Sequence, residues 1–265
     1  LRIDHVMGLS RLFWVPDGAT ANEGAYVRYP LEELLGALAL ESRRARCLVV
    51  GEDLGTVPAG LRERLDAAAV LSYRVLWFER DGHDFRPPDR YPALAAACVS
   101  THDLPTIRGW WRGADIDERR ALGLADDAQA ATAHAARAED RLHLARALGH
   151  AAVAPASSPD VPEEEAVAQA LHRFVGATPS LVALVQADDL ASEASAVNLP
   201  GTDRERPNWR RRLSVDAADL WDTPIGARAA RSLLAGAGNA LAVVRPGDAA
   251  LARALRDAGC DVIES

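Results

Sequence analysis

Three acidic side chains stand at the ends of strand candidates, where catalysis by carboxylates would need them: Asp4 in R-I-D-H, Glu52 in G-E-D-L-G and Asp103 in T-H-D. In a parallel α/β sheet ligands bind at the carboxyl ends of the strands, and polar residues at that end of a barrel are catalytic. Three carboxylates on one rim are what glycoside chemistry requires, as nucleophile, acid/base and sugar ligand. The acid/base needs a sheltered place near a second carboxylate.

Each of these acids, taken alone, also fits a structural role. An aspartate after a strand is often a turn former or a helix N-cap, and Asp53, beside Glu52, is interpreted in that way. Three acids in succession, each with a neighbouring His, Arg or Gly suited to a site, favour the catalytic interpretation. Arg2 is placed to keep Asp4 ionised.

The elements that must position these acids alternate between strands and helices. Leucines at positions 31, 34, 35 and 38 predict an amphipathic helix, and Pro58 begins a second helix with Leu61 and Leu65 on one face. The predicted strands of this part are 47–51, 74–78 and 93–100. Such alternation is typical of βαβ units with a parallel sheet.

The second half of the chain starts with an Ala-, Arg- and acid-rich stretch, which we interpret as a helical insertion at 115–178. Its predicted parts are helix 128–148, loop 154–160 and helix 162–175, and its histidines His134, His143, His150 and His172 are expected at the surface. Further elements follow in order: strand 181–185, a Gly/Pro loop at 198–209, helix 217–234, strand 240–244 and helix 249–258. The predicted division is 1–114, 115–178, 179–235 and a tail of unknown role at 236–265.

Composition excludes several functions. All 30 basic residues are arginine, so neither a Schiff-base lysine nor a Walker-type phosphate loop is present. The formal net charge of −8 argues against nucleic-acid binding. Three scattered cysteines indicate a reducing, cytoplasmic setting and no metal-binding motif. No apolar run approaches the ~20 residues of a membrane span.

The chain resembles the 4-α-glucanotransferases known as amylomaltase or disproportionating enzyme, in particular the bacterial maltodextrin type. The resemblance runs in order from residue 1 to about 214. It is carried by RIDHVMGL (2–9), LFWVPDG (12–18), GAYVRYP (24–30), ALESRRARCLVVGEDLGTVP (39–58), SYRVLWFERD (72–81), STHDLPTIRGWW (100–111), VNLPGT (197–202) and PNWRRRLS (207–214).

This resemblance implies a role for each matching position. Asp4 matches the nucleophile, Glu52 the general acid/base, and Asp103 the third carboxylate, which binds and distorts the sugar. The positions that match substrate-binding residues are Arg2, which orients the nucleophile, His102, which hydrogen-bonds the same sugar, and Asn198, close to the active site. Trp14, Tyr26 and Trp77 are candidates for stacking on glucose rings, with buried packing as the alternative for each.

The implied reaction is a retaining transfer of α-1,4-glucan segments between maltodextrins through a covalent glucosyl-Asp4 intermediate. Its two reacting carboxyl groups are expected to lie about 5–5.5 Å apart. The substrate and acceptor are glucans, no cofactor or metal is implied, and the sequence leaves the oligomeric state open. An α-amylase-like hydrolase and a non-catalytic carbohydrate-binding remnant stay as alternatives.

The resemblance also implies an incomplete fold. The chain corresponds to strands four to eight, the C-terminal part of a (β/α)8 TIM barrel, with the helical insertion and without the N-terminal strands. Such a part would leave edge strands and apolar faces uncovered. We therefore expect the isolated chain of 265 residues to be inactive or poorly folded.

Overall fold

The structure is a computed structural model that describes residues 1–150, 163–236, 241–244 and 261–264. Its strands, in chain order, are β1 (Arg2–Ile3), β2 (Arg11–Trp14), β3 (Ala25–Arg28), β4 (Val50–Gly51), β5 (Leu71–Val75), β6 (Arg80–Asp81), β7 (Asp84–Phe85), β8 (Ala95–Cys98), β9 (Val182–Leu184), β10 (Leu241–Val244) and β11 (Asp261–Glu264). Its α-helices are α1 (Leu31–Ala45), α2 (Leu61–Ala67), α3 (Ile107–Arg112), α4 (Ala114–Ala121), α5 (Asp127–His150), α6 (Glu163–Gly176), α7 (Ala187–Leu190) and α8 (Pro224–Gly236).

The main sheet has five strands in the order β1-β4-β5-β8-β9. The pairs β1–β4 and β4–β5 are parallel, and the connections between these strands contain α1 and α2. Short antiparallel pairs are formed by β2 with β3 and by β6 with β7, whereas β10 and β11 pair in parallel. The predicted α/β class with a parallel sheet is therefore confirmed.

The chain divides into two compact units. The first contains Leu1–Arg74, Pro92–Ala96 and Ser180–Val182. Its core is an aliphatic cluster in which one face of α1 and one face of α2 meet residues next to β1, β4 and β5. The buried members of this cluster are Val6, Met7, Leu31, Leu35, Val49, Leu61, Leu65 and Val70.

The second unit contains Val75–Tyr91, Ala97–Pro179 and Ala183–Ser265. Helices α6 and α8 pack against each other within it. Gly176 ends α6 at this contact, where an added Cβ atom would lie 2.4 Å from the carbonyl oxygen of Leu233. A side chain at position 176 would therefore push the two helices apart. Among the described residues, no helix is both long enough and apolar enough to cross a membrane.

Four predicted helices are confirmed with small shifts at their ends: α1, α2, α5 and α6. Leu31 and Leu35 are buried on α1, and Leu61 and Leu65 on α2, as their spacing predicts, whereas Leu34 of the predicted face is 36% exposed. The alanine-rich segment 93–100 contains the strand β8, whose side chains are all buried. The predicted loop 154–160 and helix 249–258 lie outside the described residues.

Two predicted strands are placed differently by the structure. The strand predicted at 74–78 ends at Val75 and begins at Leu71, and a 3-10 turn follows at Leu76–Phe78. The polar residue Ser72 obscures the pattern of a buried strand in the sequence. In the structure its hydroxyl donates to the carboxylate of Asp53, so the buried serine has a hydrogen-bond partner. The strand predicted at 47–51 is reduced to β4, and Leu48 before it is exposed.

The helix predicted at 217–234 is interrupted. A 3-10 helix covers Ala217–Asp222, and α8 begins only at Pro224. Proline has no N–H to continue the hydrogen-bond pattern of a preceding helix, but it suits the first position of a new one. The hydroxyl of Thr223 accepts the N–H of Gly226 at 2.9 Å and caps the new helix.

The surface position predicted for His172 is wrong. His172 lies in α6 and is 1% exposed, because it belongs to the side of this helix that packs against neighbouring helices. Neither ring nitrogen has a hydrogen-bond partner among the described residues. Burial lowers the pKa of the His172 imidazole to about 4, since the charged form loses its hydration. His134 and His143 are paired with Asp117 and Asp84 at exposed positions, and the side chain of His150 lies outside the described residues.

We expect His172 to make the protein sensitive to acid. In the unfolded chain this imidazole takes up a proton near pH 6.5, whereas in the folded chain it does so only near pH 4. Stability is therefore complete above pH 6.5 and falls as the pH decreases towards 4, by about 3 kcal/mol in total. In His172→Leu, the urea midpoint of unfolding should lose this dependence on pH.

The difference between His172→Leu and the unaltered protein is the quantity to measure. Burial raises the pKa of Asp189 to about 7, so this carboxyl group destabilises the fold as the pH rises from its ordinary value towards 7. The two groups therefore oppose each other over nearly the same range. A variant with the same pH dependence as the unaltered protein would contradict the role of His172, and His134→Leu serves as the exposed control.

Candidate active site

Asp4 and Glu52 are brought together by the register of the sheet. In the parallel pair β1–β4, Ile3 lies opposite Gly51, so that the next residue of each strand is Asp4 and Glu52. The backbone N–H of Glu52 donates to the carbonyl oxygen of Ile3 at 2.9 Å, and Val6 returns a bond of 2.9 Å to the carbonyl oxygen of Glu52. Both acids therefore leave the sheet at the carboxyl ends of adjacent strands.

The carboxylate of Glu52 is sheltered and held by two backbone donors. Glu52 is 9% exposed. Its Oε2 accepts the N–H of His5 at 2.8 Å, and its Oε1 accepts the N–H of Leu54 at 2.7 Å. Because His5 directly follows Asp4, the first of these bonds ties Glu52 to the backbone next to Asp4.

Asp4 is far more open to solvent than Glu52. Its side chain is 77% exposed, and Oδ1 lies 2.8 Å from Nη2 of Arg2. The guanidinium of Arg2 also lies over the ring of Tyr73, 5.3 Å from its centroid. His5 takes a left-handed conformation with φ of 44°, which is uncommon for a residue other than glycine and typical of functional sites. This turn aims the N–H of His5 at Glu52.

Gly51 allows the core to approach the start of the G-E-D-L-G motif. A Cβ atom at this position would lie 2.9 Å from Cγ2 of Val6 and 3.1 Å from Cγ1 of Val70. A larger residue would displace one of these core side chains, and with it the strand end that carries Glu52. The close packing of the core is therefore the reason for a glycine at position 51.

Asp53 has a structural role, as expected, but it is a buried hydrogen-bond acceptor rather than a turn former or a helix N-cap. Its side chain is 0% exposed, and it accepts bonds from Arg62 Nε at 2.7 Å, Ser72 Oγ at 2.7 Å and Tyr73 N at 2.9 Å. Burial acts to raise the pKa of Asp53, but these donors outweigh it and the pKa is lowered. Asp53 thus fixes Tyr73, on which the guanidinium of Arg2 lies.

Replacing Asp53 by asparagine should destabilise the protein by about 1–3 kcal/mol, because an amide nitrogen cannot accept the bonds of Arg62 and Ser72. The lowered pKa of Asp53 means that its contribution is complete above its ordinary value and is lost as the pH falls below it. The urea midpoint at pH 7 and pH 3 measures both effects. Asp66→Asn, at an exposed position of α2, is the matched control, and equal midpoints for the two variants would contradict the prediction.

Asp103 and Asn198 meet in the second unit. Asp103 follows β8, and its Oδ1 accepts a bond of 2.6 Å from Nδ2 of Asn198, which belongs to the loop predicted at 198–209. Nε2 of His102 lies 3.3 Å from the other carboxylate oxygen of Asp103. The ring of Trp209, from the same loop as Asn198, lies 5.3 Å from the ring of His102.

Asp103 and Asn198 line a cavity of about 460 Å³ in the second unit. The rest of its lining comes from the residues after Asp103, from the first turns of α4 and from residues 194–196 and 199–200. Trp209 had no assigned role in the sequence, although it stands in the matching segment P-N-W-R-R-R. Its positive φ of 61° and its contact with His102 become visible only in the folded loop.

The three aromatic candidates separate by exposure. Trp77 is 7% exposed and stacks on Trp110 at 4.4 Å, so it belongs to the core. Trp14 and Tyr26 are 57% and 60% exposed on the β2–β3 hairpin. Tyr26 contacts Phe13 edge to face at 5.2 Å, and Trp14 Nε1 donates to the hydroxyl of Tyr29 at 3.0 Å. The guanidinium of Arg11 covers one face of the Tyr26 ring, 4.3 Å from its centroid.

Asp4, Glu52 and Asp103 are engaged by arginine, backbone N–H or amide donors. Over residues 1–150 and 163–236, no group of three or more His, Cys, Asp or Glu side chains could hold a metal ion.

Comparison with known proteins gives a consistent result. The glycoside hydrolase family 77 model, 4-alpha-glucanotransferase, matches residues 1–217. The 4-alpha-glucanotransferase of Haemophilus influenzae is 36% identical over 225 residues, which is 83% of this chain and 32% of that protein. The one from Mycobacterium tuberculosis H37Rv is 40% identical over 215 residues, which is 79% of this chain and 29% of that protein.

Solved structures agree with these relatives. The amylomaltase from Corynebacterium glutamicum superposes with a TM-score of 0.80 at 32% identity, over 88% of this chain and 35% of that one. The amylomaltase from Streptococcus agalactiae, solved in complex with acarbose, shares the fold with a TM-score of 0.61 at 21% identity, over 86% of this chain and 39% of that one. The chain thus spans about a third of the length of the proteins it matches.

Proposed function

The chain belongs to the 4-alpha-glucanotransferase family, glycoside hydrolase family 77, and we propose that it supplies the reacting carboxylates for the transfer of α-1,4-glucan segments between maltodextrins. The observation that carries the proposal is the bond from the N–H of His5 to Glu52. It joins a sheltered glutamate to the residue next to an exposed, arginine-paired aspartate. One acid that can be protonated and one that stays ionised are what a retaining mechanism needs.

In the first half of the reaction, Asp4 attacks the anomeric carbon and Glu52 donates a proton to the departing glycosidic oxygen. A covalent glucosyl-Asp4 ester forms, and the remaining glucan leaves with the proton. The bond from Arg2 holds the carboxylate of Asp4 in place for this attack. The N–H groups of His5 and Leu54 hold the carboxyl group of Glu52 at the end of the adjacent strand.

In the second half, Glu52 removes the proton from a hydroxyl group of an incoming glucan, and that oxygen displaces Asp4. Asp103 holds the hydroxyl groups of the reacting sugar and stabilises its distorted ring, with His102 as a second ligand. Asn198 supports Asp103 through their bond of 2.6 Å. The exposed side chains of Trp14 and Tyr26 are candidates for contact with further glucose units. The chemistry needs no cofactor.

We assign β1, β4, β5, β8 and β9 to strands four to eight of a (β/α)8 barrel, in agreement with their order in the sheet. Helices α4, α5 and α6 fall between β8 and β9, where the sequence predicts an insertion at 115–178. Cys47 carries a free thiol, which fits the cytoplasmic setting that we propose for this enzyme.

Maltotriose tests this function directly. A full-length enzyme that carries this segment should convert maltotriose into glucose and longer maltodextrins, whereas we expect the 265 residues on their own to be inactive. Glucose and maltose without longer products would indicate a hydrolase instead. A full-length protein that binds maltotriose or acarbose but leaves maltotriose intact would indicate a binding remnant and would contradict the proposal.

A further inference from the structure

Arg206 is a buried arginine with a full set of partners next to the candidate site. It is 7% exposed. Its Nε donates to Oε1 of Glu118 in α4 at 2.8 Å, and Nη1 donates to Oδ1 of Asn208 at 2.8 Å. Its Nη2 donates to the hydroxyl of Ser195 at 2.9 Å and also to the carbonyl oxygen of Ala196. One guanidinium therefore joins α4 to both ends of the loop 195–209.

Asn208, which accepts a bond from Arg206, makes further hydrogen bonds across the loop 195–209. Oδ1 of Asn208 also accepts the N–H of Leu199 at 3.1 Å, and Nδ2 of Asn208 donates to the hydroxyl of Thr202 at 2.8 Å. The N–H of Trp209 donates to the carbonyl oxygen of Val197 at 3.0 Å. The backbone is thus fixed immediately before and after position 198.

Two side chains on this loop reach the candidate site. Asn198 donates to Asp103 at 2.6 Å, and the ring of Trp209 lies against that of His102. Arg206 is absent from the lining of the cavity that contains Asp103 and Asn198, while its partners Glu118, Ser195 and Ala196 belong to that lining. Arg206 is therefore placed to act on the site through the loop and not by contact with the sugar.

We propose that Arg206, anchored by Glu118, is a positioning residue that fixes Asn198 on Asp103 and Trp209 on His102. The planar guanidinium matches this task, since its donors point in fixed directions to four acceptors. A lysine has one nitrogen in place of three and cannot reproduce the fork. This proposal rests on the proposed function. Loss of Arg206 is expected to affect kinetics because Asp103 would no longer support the distorted sugar fully.

Arg206→Lys in the full-length enzyme is the kinetic test. A misplaced Asp103 should lower kcat by about 100-fold, as small displacements in catalytic sites do. KM for maltotriose should change much less, because the support lost from Asp103 is that of the distorted sugar in the transition state. Glu118→Gln keeps an acceptor oxygen but loses the charge, so it should lower kcat less. Arg228→Lys is the matched control: Arg228 pairs with Glu165 at 2.7 Å between α8 and α6, and its loss should affect the melting temperature and not kcat.

A double-mutant cycle separates positioning from general damage. If Arg206 acts through Asn198, then Arg206→Lys should reduce kcat much less in an Asn198→Ala background than in the unaltered enzyme. Equal factors in both backgrounds would overturn the proposal. So would a kcat for Arg206→Lys that matches that of Arg228→Lys.

Amide hydrogen exchange provides a test that does not depend on activity. In Arg206→Lys the amides of Leu199 and Trp209 should exchange faster, while those of α1 and α2 keep their rates. Unchanged exchange at both loop amides would overturn the role of Arg206 even in an active enzyme. Faster exchange in a full-length protein without transferase activity would instead refute the proposed function and leave the loop assignment intact.

Discussion

Asp4→Asn should reduce the turnover of maltotriose by a full-length enzyme on the order of 10⁴- to 10⁶-fold, as loss of a catalytic nucleophile does. An amide cannot form the glucosyl ester. Its carbonyl oxygen still accepts the bond from Arg2, which lies 2.8 Å from Asp4 in the structure. The melting temperature should therefore be unchanged.

Reaction with azide is a more specific test of Asp4 as the nucleophile than the loss of activity is. In Asp4→Ala a small anion can occupy the space of the carboxylate and attack the sugar from the same side. The product would be a glucosyl azide of inverted configuration, visible by NMR. Asp17→Asn, an exposed acid of the same segment, is the control. Turnover by Asp4→Asn at the rate of this control would refute the nucleophile assignment.

Glu52→Gln should lower kcat by about 10²- to 10⁴-fold, the usual contribution of a general acid/base. The size of the loss should depend on the leaving group. An aryl maltoside with an acidic phenol needs no proton, so its first step should be nearly preserved, whereas maltotriose should be turned over very slowly. The amide oxygen can still accept one of the two backbone bonds of Glu52, which keeps the strand ends in place.

The configuration of the azide product distinguishes Glu52 from Asp4. In Glu52→Ala the covalent glucosyl-Asp4 still forms from an aryl maltoside, and azide then displaces Asp4 without needing a base. Two displacements retain the configuration, so the two alanine variants should give opposite anomers. An inverted product from Glu52→Ala would contradict its assignment as acid/base.

Much of the candidate site could be predicted from the sequence, because short-range features determine where its residues lie. Asp4 and Glu52 each end a strand, and the parallel register Ile3–Gly51 places them side by side without further adjustment. The helix α1 is equally local, since its leucine spacing predicts the helix and two of its leucines, Leu31 and Leu35, are buried. Such features depend on periodicity and strand ends, both of which are visible in the chain.

Other features depend on partners that are distant in the sequence. Ser72 looks unsuited to a buried strand until Asp53 is found beside it. His172 looks like a surface residue, because only the packing around α6 shows that it lies on the buried side of this helix. Arg206 stands among charged residues in a polar loop, and its burial follows from Glu118, a residue of a different element. Tertiary contacts determined each of these positions.

The bond between Asp103 and Asn198 joins residues 95 positions apart, which has a consequence for how the protein is made. At ordinary rates of synthesis, Asp103 is added to the chain on the order of 5 to 20 s before Asn198. Helices α4, α5 and α6 are synthesised in this interval and can form locally. The bond between the carboxylate and its amide partner can therefore form only after the whole helical segment between them has been made.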